Sequence, residues 1–109
     1  MKLTKLIRFA IAFLLIFAGV TLLAKPPGVS YGGGDGSSLE KAIIIKGATS
    51  EETGVRAEYD YLASHYPGYK RGNQGLLNSK GRAYDKIEFT TADGKKKAIY
   101  FDITAFFGK

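Results

Sequence analysis

The dipeptide Pro67-Gly68 marks a change of hydrophobic period, and that change constrains the fold more than any other feature of the chain. Before it, "TSEETGVRAEYDYLASHY" reads as one amphipathic helix over 50–66. Thr49 with Glu52 fits a capping box, Glu51 and Glu52 sit where the helix dipole favours anions, and Pro67-Gly68 stops the segment. Val55, Tyr59, Leu62 and Tyr66 recur at i, i+4, i+7 and i+11, which predicts one buried stripe. Glu52, Arg56 and Asp60 line another side at i, i+4 spacing with alternating charge. Gly54 costs such a helix about 1 kcal/mol relative to alanine, so packing has to hold it.

After Pro67-Gly68 the period falls to two. Residues 69–77 read as a weak strand, "NSKG" as a turn, 82–90 as a strand, "TADGK" as a turn and 95–103 as a strand. Ile87 and Phe89 share one face of the second, and Ile99, Phe101 and Ile103 one face of the third. Tyr84, Lys86 and Glu88, with Tyr100, Asp102 and Thr104, fall on the opposite faces, the pattern of a sheet with one side on a helix and one toward water. Upstream, Ile43 to Ile45 bounded by Gly47 read as a short strand buried on both sides. The order is β-α-β-β-β, an α+β domain over 39–109 in which one amphipathic helix packs on a three- to four-stranded antiparallel sheet. Residues 25–38, "KPPGVSYGGGDGSS", read as a flexible leader.

Residues 1–24 stand apart from this pattern. Lys2, Lys5 and Arg8 precede "FAIAFLLIFAGVTLL", a run without charge, and "LAKPP" breaks it. This is the layout of a secretory signal with a cut after Ala24, the alternative being an uncleaved N-terminal anchor. The run is shorter than the ~20 apolar residues of a spanning helix. No cysteine follows it, so a lipid-anchored lipoprotein is excluded. Without the segment the formal charge falls from +6 to thirteen basic against ten acidic residues, a net +3. That is no nucleic-acid footprint. An exported domain without cysteine also has to draw its stability from its core, so each large apolar side chain has structural work to do. Of Phe106 and Phe107, beyond the last strand, at least one is expected to fold back over an end of that core.

Catalytic chemistry finds little support. There is no cysteine and no serine in a Gly-x-Ser-x-Gly elbow. The lone His65 shares a helix side with Glu58 and Tyr61, but Glu58 lies two turns away, roughly 10 Å, beyond hydrogen-bond reach. Its ordinary role is to complement the helix C-terminus. One histidine and no cysteine remove the usual zinc frameworks. "GGGDGSS" lacks both the spaced carboxylates of a calcium loop and the Gly-Lys-Ser/Thr of a phosphate loop. No catalytic residue, metal ligand or cofactor is expected.

The best candidate surface combines cations with aromatic rings. Lys70, Arg71, Tyr84, Lys86 and Tyr100, with Lys95 to Lys97 nearby, cluster on three strands and their turns. Sharing the open sheet face, they would stack on a glycan, a peptide or a partner protein. The competing reading is structural: Tyr84 and Tyr100 form a cross-strand pair and the lysines guard a sheet edge.

The stretches "GGDGSSLEKAIIIKGA", "GVRAEYDYL", "GRAYDKIEF" and "DGKKKAIYFDITAFFGK" resemble small exported bacterial proteins. The resemblance implies a periplasmic or secreted setting and brings no activity, ligand or functional residue with it. The order of elements also looks like cystatin-type inhibitors and the inhibitory modules appended to exported peptidases, a likeness at the level of fold alone. The expectation is an exported, non-enzymatic binding module for a peptide, glycan or partner protein of the cell envelope, not nucleic acid. The alternatives are a protease inhibitor using the glycine-rich segment and hairpin turns, and a small hydrolase.

Overall fold

A computed structural model describes residues 25–109. The expected secretory signal, residues 1–24, lies outside the described residues. Among the described residues no helix is long and apolar enough to cross a membrane.

The domain is α+β, with one helix on a five-stranded mixed sheet. Its elements are β1 (Ser30–Gly33), β2 (Ile43–Lys46), α1 (Glu51–His65), β3 (Lys70–Ser79), β4 (Arg82–Thr90) and β5 (Lys96–Asp102). The sheet order is β1-β2-β5-β4-β3. The expected antiparallel sheet of three to four strands is thus corrected in two respects. β2 runs parallel to β5, with Ile43 beside Phe101 and Ile44 beside Asp102, because α1 lies between β2 and the β3-β4-β5 meander and carries the chain across the sheet. The second correction is β1, which arises inside the segment expected to be flexible.

In that segment Tyr31 faces the helix and donates a hydrogen bond to the Ala57 carbonyl at 2.7 Å. The glycines that follow are fitted to their surroundings. Gly36 has a φ of +82°, a Cβ there would stand 2.6 Å from Ile99 Cγ1, and its carbonyl accepts from the Tyr100 amide at 2.9 Å. The loop therefore continues the pairing along β5 where short β2 stops.

The helix is capped by Ser50, not Thr49: the Ser50 hydroxyl accepts from the Thr53 amide at 3.2 Å. Its buried face also differs from the expected stripe. Gly54, Ala57, Glu58 and Leu62 are buried, while Val55 is 37% exposed and Tyr59 half-buried. The sheet presents Ile43, Ile45, Ile87, Phe89, Ile99 and Phe101 to this face. Phe106 returns from the turn after β5 to close the core at 1% exposure, whereas Phe107 stays 43% exposed. The same turn ties down the start of α1. The Lys109 main-chain oxygen accepts from the Glu51 amide at 3.2 Å, and the Glu51 carboxylate accepts from the Gly108 amide at 2.7 Å.

The turns follow from local chemistry. Lys80 and Gly81, with φ of 52° and 78°, make the two-residue hairpin turn whose twist matches its flanking strands, so β3 runs two residues further than expected. In the β4–β5 turn the Thr91 hydroxyl accepts from the Lys95 amide at 3.0 Å and donates to Asp93.

Candidate functional site

β4 alternates regularly: Ala83, Asp85, Ile87 and Phe89 are buried under the helix, and Arg82, Tyr84, Lys86, Glu88 and Thr90 face the other way. The register carries this alternation across the sheet. Tyr84 lies opposite Asp102, and Lys86 opposite Tyr100 on β5 and Gly75 on β3. No element among the described residues covers this outer face. Tyr84, Lys86 and Tyr100 are half-buried by one another and their neighbours, with Ile44 on one flank and Leu77, 38% exposed, on the other. The Lys86 ammonium stands 5.8 Å from the centroid of the Tyr100 ring and 3.7 Å from Glu88. Tyr84 and Tyr100 are diagonal neighbours and not a directly opposed pair, so each ring is flanked by a polar residue instead of closing on the other.

The other two candidates sit elsewhere. Lys70 is opposite Thr90, on the outer face but four residues along β4 from Lys86, about 13 Å away at strand rise. Arg71 is opposite Phe89, on the helix side, where its guanidinium lies 4.0 Å from the centroid of the Tyr59 ring. The cause is a bulge between Arg71 and Gln74. One extra residue on β3 inverts the side-chain alternation, and Arg71 changes face.

An ion pair fastens one end of the outer face. Arg82 Nε donates to Asp102 Oδ2 at 2.6 Å, and the other oxygen of Asp102 accepts from the Thr104 hydroxyl at 2.7 Å and the Thr104 amide at 3.0 Å. Burial alone would raise the Asp102 carboxyl, but the hydrogen bonds from Arg82 and Thr104 hold it below the usual carboxylate range.

On the helix side the sequence conceals a second group of polar residues. Glu58 is fully buried on α1, and Asp85, 7% exposed, faces it from β4. Asp85 accepts from Gln74 Nε2 at 3.1 Å, and Gln74 Oε1 accepts from the Tyr59 hydroxyl at 2.7 Å. Burial, with the Asp85 carboxylate adding to it, pushes the Glu58 carboxyl up to about 10. Glu58 is therefore a neutral acid at pH 7. Only its place on the helix side of Tyr61 and His65 pointed to it in the sequence.

His65 is exposed, its ring stacked on Tyr61 with centroids 3.8 Å apart, and its Nδ1 is 3.0 Å from the Tyr61 carbonyl oxygen. Among the described residues no three His, Cys, Asp or Glu side chains gather in a group fit to hold a metal ion. No known protein family, curated protein or solved structure matches the chain.

Proposed function

We propose that this chain is an exported, non-enzymatic binding module that holds a partner polypeptide of the cell envelope on the outer face of its sheet. The observation supporting this is the group Tyr84, Lys86 and Tyr100, neighbours in register on a face that nothing among the described residues covers. Two amphipathic rings with an ammonium between strands offer broad apolar contact at small entropic cost. Ile44 and Leu77 extend the apolar ground on both flanks. A polypeptide is favoured over a glycan because this face runs out to β3, which has β4 on one side and no described strand on the other, leaving main-chain groups for an extended partner.

The non-enzymatic reading draws on His65, whose ring and Nδ1 are engaged with its own helix. The inhibitor alternative needs a glycine-rich segment free to enter a cleft. Ser30–Gly33 is instead a strand and Gly36 is bonded to β5, which weighs against it.

The test compares partners recovered from envelope extract by the wild-type chain and by a Tyr84→Ala, Tyr100→Ala variant of matched melting temperature. Loss of a polypeptide with the variant supports the proposal. Equal recovery of every partner overturns it, and selective loss of a glycan overturns the choice of polypeptide.

A further inference from the structure

Three of the four large apolar side chains left exposed among the described residues, Val55, Leu76 and Phe107, surround one cavity of about 190 Å³. It lies on the opposite side of the sheet from Tyr84 and Tyr100, between α1 and the part of β3 that extends past the helix. Its polar lining includes Asp85 and Gln74, and Leu76 is the direct cross-strand neighbour of Asp85. Glu51, at the start of α1, brings a second carboxylate to the lining. An apolar rim around a carboxylate floor suits a group with a hydrocarbon stem and a cationic tip.

We infer that this cavity receives a basic side chain, arginine or lysine, from an extended partner segment that lies along the free edge of β3. Size and charge argue for that occupant. A cavity of about 190 Å³ is below the roughly 300–1,000 Å³ of sites for free small molecules, but it holds one side chain. The carboxylates of Asp85 and Glu51 in the lining call for a cation, and the residues there do not form a group fit to hold a metal ion. The neighbouring edge of β3 supplies the main-chain groups that anchor such a segment, while the cavity selects the one side chain that points into it. The two readings share the edge of β3 but not their side-chain contacts, which lie on opposite faces of the sheet.

The probe is an acetylated, amidated heptapeptide of alternating threonine and valine with one central arginine, compared with the same peptide carrying citrulline, which keeps the side chain's length but not its charge. Titrated into the isotopically labelled full chain, the arginine peptide should shift the amide resonances of Gln74, Leu76 and Asp85. It should bind about tenfold more tightly than the citrulline peptide, the difference between charge-assisted and neutral hydrogen bonding. Asp85→Asn should reduce that preference to within about twofold. Should Asp85→Asn fail to fold, Leu76→Lys, a change at a position 48% exposed, should block the arginine peptide at an unchanged melting temperature. Equal affinity for the two peptides, or no response at those three amides, overturns the inference. Shifts confined to Tyr84, Lys86 and Tyr100 also overturn it while leaving the outer-face proposal in place.

Discussion

The Phe106 ring occupies the space into which a Cβ on residue 54 would project: built there, that atom falls far inside contact distance of three ring carbons. Glycine in the first half of α1 is therefore a requirement of the chain's last turn, 52 positions away, and not a weakness of the helix. The two residues together seal one end of a core that has no disulfide to support it.

Gly54→Ala should consequently lower stability, against the gain of about 1 kcal/mol that helix propensity alone would give. Overpacking typically costs about 1–3 kcal/mol, so the melting temperature should fall. Phe106→Ala should cost about 3–5 kcal/mol, whereas Phe107→Ala, at an exposed site, should stay within about 1 kcal/mol. Chemical denaturation of the three variants checks the order, and a stabilised Gly54→Ala protein would contradict the packing.

Glu58 should make the domain more stable in mild acid than at neutral pH. Its folded carboxyl titrates near 10 against an ordinary value of 4.5, so between those limits the folded chain holds a proton that the unfolded chain has released. Stability is then full below the lower value and falls with rising pH by up to about 1.4 kcal/mol per pH unit. Asp60, raised to about 6 by burial, acts in the same direction below that pH. Asp102, held low, opposes them only in strong acid. Denaturation midpoints from pH 5 to pH 8 should decline in the wild type and flatten in Glu58→Gln.

Gly36→Ala should destabilise although it lies in a stretch with the composition of a linker. Its φ of +82° disfavours any L side chain, and the new methyl would press on Ile99 and on Ile43. A loss of about 1–3 kcal/mol is expected. In the wild type the Tyr100 amide, donating to the Gly36 carbonyl, should exchange with solvent as slowly as the amides within β5.

Asp102→Ala should unfasten the end of the outer face. Its carboxylate is the shared acceptor for Arg82 and Thr104, and the Thr104 hydroxyl in turn accepts from the Ala83 amide at 3.1 Å. Removing it strands these donors, at about 1–3 kcal/mol. Line broadening at Ala83 and Thr104 in the variant would report the loosening directly.

How much of this was legible in the sequence depends on whether position along the chain or contact across it decides the structure. β4 and β5 could be read because Ile87, Phe89, Ile99 and Phe101 alternate with polar residues, and the same count aligned Tyr84, Lys86 and Tyr100 on one face. The helix could be read from its caps, but its buried side could not. Val55 and Tyr59 lie toward the part of β3 that the helix leaves uncovered, and close approach to the sheet and to Phe106 selects the small Gly54 and Ala57 instead. β1 was hidden because its glycines carry no hydrophobic period, and the fit of Gly33 shows only against Ala42 and Ile44. Arg71 was misplaced by a single bulge residue, and the Glu58–Asp85 pair was invisible because a charged residue in a helix is ordinarily read as its solvated side.

The sheet order also governs when the domain can form during synthesis. β5, the last strand among the described residues, lies at the centre, between β2 on one side and β4 on the other. Until residues 96–102 exist, β1-β2 and β3-β4 are two separate hairpins with no shared interior, and an isolated hairpin is marginal in water. A growing chain of this design gains its shared interior only once β5 has been made, so the sheet closes in a single late step.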